Sequence, residues 1–129
     1  MERETLTLIT EGLERILSDA PLEAIDRAGG LGADADALWA ALAENGYPKL
    51  CAAEAYNGFG AALADGLEFA TITARHAAAL PLADTVFAAG LMSAAGCEAP
   101  DMRIAIADPL DPASPVPHAA QAGAVLFLS

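Results

Sequence analysis

Few residues of this chain have side chains that do chemistry, and none sits in an arrangement that names a reaction. Glu54 is a lone carboxylate just ahead of Tyr56. It has the reach of a general base, but a single Glu there reads more simply as a solvated or capping group. Arg75 and His76 are adjacent at the end of a helical pattern, where cations complement the helix dipole. A catalytic His76 would need an acidic or nucleophilic partner, and none is near it in sequence. His118 follows Pro117 and reads as a loop residue. The two histidines are too far apart and too unsupported to argue for a metal. The two cysteines, Cys51 and Cys97, form no CxxC pair. They read as reduced, buried, small apolar residues with no metal or disulfide spacing. There is no GxSxG, P-loop or dinucleotide GxGxxG. Gly58-Phe59-Gly60 has only two of the last motif's glycines and follows no strand pattern.

Bulk properties narrow the field. With 129 residues there is room for one domain, or one domain and part of a second. The apolar fraction is 55%, and much of it is alanine, which suits packed helices. Only 19% of residues are charged, so some apolar surface is expected to meet a partner or another domain. Six basic residues against 18 acidic ones give a net charge of −12. Nucleic acid and anionic membrane surfaces therefore find no basic patch. A polyphosphate ligand would not be held strongly by this chain alone. The N-terminus mixes Glu and Arg among its apolar positions and is not a signal peptide. Pro112 to Ser129 is uncharged but has three prolines in its first six residues, so it is not a membrane span.

The hydrophobic pattern predicts four helices and then two strands. Thr5–Leu17 places Leu6, Ile9, Leu13, Ile16 and Leu17 on one face, and Asp19-Ala20-Pro21 ends it. Ala28–Ala33 is a flexible connector with three glycines. A second helix runs from a cap at Asp34 or Asp36 to about Asn45. Its buried stripe is Leu38, Trp39 and Leu42, and Gly46 stops it. A third, about Ala61–Ala79, is expected to bury Leu63, Leu67, Ala70, Ala74 and Ala78, with Phe69 and Ile72 widening that face. Pro81 opens a fourth, Pro81–Ala95, apolar nearly all round. It presents Leu82, Val86 and Ala89 one way and Ala83, Phe87 and Leu91 another, as expected of a helix buried on both sides or lining a cavity. Gly90 lies inside it, where a small residue admits another backbone or a ligand, and Gly96 ends it. Arg103–Ala107 and Ala124–Leu128 are strand candidates around a loop, Asp108–Pro117, with four prolines. Two short strands do not form an independently stable sheet.

The segment Trp39–Gly60, WAALAENGYPKLCAAEAYNGFG, carries more information than any single residue. Leu38-Trp39, Leu42-Ala43-Glu44-Asn45-Gly46 and Ala53-Glu54-Ala55-Tyr56-Asn57-Gly58-Phe59-Gly60 resemble the helix "LW..LAE.G" and the loop "PE.YGG.G" of the acyl-CoA dehydrogenases. Pro81-Leu82-Ala83-Asp84-Thr85 is similar to that family's "P..ET" helix, with Asp84-Thr85 where Glu-Thr is common. Val116-Pro117-His118-Ala119-Ala120-Gln121-Ala122 resembles a "VP.A..A" turn. The resemblance spans nearly the whole chain. It implies a mainly α fold: an N-terminal helical bundle over 1–100, then one or two short strands of an incomplete middle β-domain over 101–129. It also implies part of a flavin-dependent enzyme of fatty-acid or lipid metabolism, an oxidoreductase that desaturates an acyl-CoA at its α,β-bond. FAD is the implied cofactor.

The chain departs from the family in lacking the flavin-binding "TEP..GSD" strand and the helical domain with the catalytic glutamate. Ala53-Glu54-Ala55 stands where Pro-Glu-Glu is usual. No catalytic residue is therefore expected here, and the chain alone is expected to be inactive, as a truncated piece or a short subunit. Its expected contribution is scaffold and one wall of the acyl pocket. By helix position that wall is Ala79, Ala83 and Phe87, spaced by four on one face; by residue type alone Phe87 reads as ordinary core. The expected partners are the remaining dehydrogenase domains or a complementary subunit, with an acyl-CoA substrate, in a cytoplasmic oligomer. The alternative is a non-enzymatic helical assembly module derived from the same family.

Overall fold

The structure, a computed structural model, describes residues 1–108, 110–111 and 113–127. Pro109 and Pro112 of the expected loop, Leu128 of the expected second strand, and Ser129 lie outside them. The chain is mainly helical: α1 (Arg3–Asp19), α2 (Leu22–Arg27), α3 (Ala33–Glu44), α4 (Leu63–Arg75) and α5 (Leu82–Ala94). Two 3₁₀ turns, Tyr47–Lys49 and Glu54–Tyr56, join α3 to α4, and β1 (Ile104–Ile106) and β2 (Ala124–Leu126) follow α5.

α1 forms where the pattern predicts and buries Leu6, Thr10, Leu13 and Leu17. It stops at Ala20, which turns extended ahead of Pro21, a residue with no N–H to continue the ladder. Pro21 then opens α2, a helix the sequence pattern does not reveal. Six residues that bury only Ile25 are too few to show a period. α3 starts one residue before Asp34, after Gly32 at φ 98, and no side chain caps it. Asp34 and Asp36 thus lie in its first turn, where negative charge favours the dipole, instead of capping it. Gly46, at φ 76, stops α3 as expected.

α4 is turned away from part of its expected face: Phe69 and Ile72 are buried as expected, but Leu63, Leu67 and Ala74 are not. Leu63 is 46% and Leu67 62% exposed, while Phe69 is fully buried. The inward face is Gly66, Phe69, Ile72 and Thr73. Both faces are apolar, so hydrophobicity does not choose between them; steric fit does. A Cβ on Gly66 would lie 3.0 Å from Cys51 Sγ and 3.1 Å from Phe87 Cε1. Only glycine lets α4 approach α5 and the Cys51 turn so closely. On its other flank α4 meets α1 through Arg3–Glu68 at 2.8 Å and Arg75–Glu14 at 3.1 Å. These pairs are exposed and contribute little stability, but they show α1 and α4 running in the same direction.

α5 is the central element, buried on two sides as its composition predicts. Leu82 and Val86 join the main core with Leu13, Leu17, Leu42, Leu50, Phe69 and Ile72. Ala88 and Ala89 join a second cluster with Ala52, Ala99 and Ile104. Gly90 does what its size suggests: a Cβ there would come within 2.9 Å of Cys51 Cβ. β1 and β2 pair in parallel, Ile104 opposite Ala124 and Ile106 opposite Leu126. Among the described residues β2 has no other strand partner, and no helix is long and apolar enough to cross a membrane.

The cysteines differ from each other. Cys51 is buried as expected, but Cys97 is exposed, because it follows the Gly96 turn that ends α5. Burial, then the charge of Asp65, pushes the Cys51 thiol up to about 11 from its ordinary 9.0. The folded chain therefore keeps the neutral thiol, while the unfolded chain loses the proton at lower pH. Stability is fully present below about pH 9 and falls as pH rises towards 11. In a thiol titration at neutral pH, Cys97 alone should react in the folded protein, with Cys51 reacting only after unfolding.

Candidate functional site

A cleft of about 380 Å³ opens where α3, the Tyr47–Lys49 turn, α5 and the approach to β1 meet. Trp39 and Ala43 come from α3, Gly46, Pro48 and Lys49 from its exit, and Asn57 from the next loop. These residues all belong to the Trp39–Gly60 segment. Thr85 and Ala89 of α5, Ala99 to Met102, and Ile104 of β1 complete the lining.

Each wall is held by identifiable interactions. The Tyr56 hydroxyl donates to the Gly96 carbonyl at 2.9 Å, and the Ala53 N–H donates to Ser93 Oγ at 3.0 Å. The loop is thereby tied to the end of α5, with Asn57 in the left-handed region at φ 62, which asparagine tolerates. Thr85 joins α5 to β1: its hydroxyl donates to the Pro81 carbonyl at 2.7 Å and accepts from the Ile104 N–H at 2.9 Å. The neighbouring Asp84 accepts from the Ile106 N–H at 3.4 Å. Asp84-Thr85 thus satisfies the backbone edge of β1 that β2 leaves open, a need any buried N–H imposes.

The mouth of the cleft is charged on both sides. Lys49 Nζ lies 2.6 Å from Asp101 Oδ1, with the Lys49 side chain 19% and Asp101 81% exposed. Arg103 reaches Asp36 Oδ1 at 2.8 Å and lies 5.5 Å from the centroid of the Trp39 ring, within cation–π range. Lys49 is the chain's only lysine and Trp39 its only tryptophan. Reading the sequence for pairs and motifs passes over Lys49, Asp101 and Arg103 because they come from separate segments. Their rarity in an acidic chain was the one available signal.

The residues singled out from sequence lie elsewhere. Ala79, Ala83 and Phe87 do not line this cleft. Ala79 sits in the turn before α5, so it does not share a helical face with Ala83 and Phe87, which are half-buried on α5. Phe87 packs towards Gly66 of α4. Glu54 is exposed in its 3₁₀ turn. Arg75 pairs with Glu14 and His76 caps α4. His118 is exposed at φ 60. No group of three candidate metal ligands occurs among the described residues.

The chain matches no family model, no curated protein and no solved structure. Its own geometry and residue order therefore carry the functional argument.

Proposed function

We propose that this chain is the N-terminal helical domain, with the first strands of the β-domain, of a flavin-dependent acyl-CoA dehydrogenase. The residue order of Trp39–Gly60, followed by Pro81-Leu82-Ala83-Asp84-Thr85, carries the reading. In this role the chain supplies scaffold and, through Ala83 and Phe87 with Ala79 at the helix entrance, one wall for an acyl chain. It is not active alone and works in a cytoplasmic oligomer with the remaining domains or a complementary subunit. Among the described residues β2 pairs only with β1, which supports this, because further strands on its other edge would extend the sheet.

The described residues do not form a flavin site. No glycine-rich turn between a strand and a helix cradles a pyrophosphate, and a single lysine with an Arg103 paired to Asp36 is a poor match for its charge. FAD, which supplies hydride acceptance in this chemistry, would be held by the complementary domains.

Purification of the tagged chain from its native host tests the reading. The expected product is a yellow complex with flavin absorbance that oxidises acyl-CoA in the presence of an electron-accepting dye. A colourless homodimer that recruits no flavin-binding chain would overturn it and favour an assembly module.

A further inference from the structure

We propose that the cleft between α3, α5 and β1 binds a compact apolar monocarboxylate, anchored by Lys49. This goes beyond the dehydrogenase reading and does not depend on it. Thr85 and Ala89 turn towards this cleft, whereas Ala83 and Phe87 lie about half a turn away on α5, so the acyl wall proposed above is a separate surface.

The anchor is a lysine whose side chain is mostly buried and whose counterion is a mostly exposed carboxylate. Lys49 is 19% and Asp101 81% exposed, at 2.6 Å. An exposed aspartate is held weakly against water, and an ammonium carries three donors. A ligand carboxylate entering the cleft can therefore replace Asp101, or share Lys49 with it, at little cost. Behind the anchor the lining is apolar: Ala43, Ala89, Ala99, Met102 and Ile104. Methionine adapts to the shape of what it covers. A volume of about 380 Å³ lies at the lower end of the roughly 300–1,000 Å³ of small-molecule pockets.

Charge excludes the other ligand classes. One lysine in a chain of net charge −12 is a poor match for a phosphate dianion or a polyphosphate. A cationic ligand would be repelled by Lys49 within the cleft, and would find the Trp39 ring already covered by Arg103, which also holds Asp36. A monoanion with an apolar body is the class that the donors and walls suit together.

Trp39 lines the cleft and is the only tryptophan, so its fluorescence reports occupancy directly. Phenylacetate and isovalerate should each give a saturable change, confirmed by calorimetry. Phenylacetamide and isovaleramide, which keep the body and lose the charge, should bind at least about tenfold more weakly, as loss of a charge-assisted hydrogen bond implies. Lys49→Met should abolish the acid-over-amide preference. Asp101→Asn, at an exposed position that leaves the fold intact, should tighten the acids several-fold by removing the competing carboxylate. The proposal fails if neither acid saturates, if acids and amides bind alike, or if Asp101→Asn weakens the acids.

Discussion

Phe69→Ala should lower the free energy of unfolding by about 3–5 kcal/mol, while Leu67→Gln, two residues earlier on the same helix, should change it by less than about 0.5 kcal/mol. Phe69 is fully buried and meets Tyr47 edge-on, with ring centroids 5.5 Å apart at 66°. Truncation removes that contact and opens a cavity in the main core, to which all five helices contribute. Leu67 is 62% exposed, so its replacement loses little burial. Chemical denaturation followed by circular dichroism gives both values. The pair is informative because the periodic pattern alone buries both residues and so expects a cost from each. If Leu67→Gln proved the costlier change, α4 would be rotated about its axis from the arrangement described here.

What the sequence revealed depended on how local each demand was. Gly46 and Gly96 ended their helices as expected because a left-handed residue is required at one position, and glycine meets that requirement at no steric cost. The two-sided character of α5 was legible because apolar residues go nearly all round it, although the second buried side proved to be Ala88 with Thr85 and not Ala83, Phe87 and Leu91, which are half-buried. The facing of α4 was legible only in part: Phe69 and Ile72 were read as buried, but Leu63 and Leu67, equally apolar, were counted with them. The deciding residue was Gly66, which contributes nothing to a hydrophobic count and is informative only through what approaches it. The cleft was hidden for a related reason. Lys49 and Asp101 are brought together by the turn after α3 and the segment after α5, and nothing in either segment announces the other. Trp39 read as plain core, although Arg103 covers its ring from the start of β1. Ala79 was placed on one face with Ala83 and Phe87 by their spacing of four, but it precedes Pro81, and the first helical residue is Leu82.

Gly30→Ala should destabilise the fold by about 3 kcal/mol, combining the strain of a left-handed residue with overpacking against fixed atoms. Gly29→Ala should carry only the backbone cost, about 1 kcal/mol. Both glycines have positive φ, 67° and 74°, and the sequence treats them alike, as neighbours in a flexible connector. Their surroundings differ. A Cβ on Gly29 meets nothing within 4 Å, but one on Gly30 would overlap the Ala79 carbonyl and lie 2.9 Å from Gln121 Cγ. Gln121 belongs to the turn that leads into β2, and its side-chain amide donates to the Gly29 carbonyl. Its Oε1 is buried and has no partner among the described residues. Gly30 is therefore the point at which the connector after α2, the turn before α5 and the turn before β2 pack together. Overpacking it should loosen β2 before it unfolds the helices. The Ala107 N–H, which donates to Leu126 at 3.0 Å, should then exchange faster in Gly30→Ala than in Gly29→Ala once both rates are corrected for global stability. Equal corrected rates would mean that the strand pair is held by Thr85 and Asp84 alone.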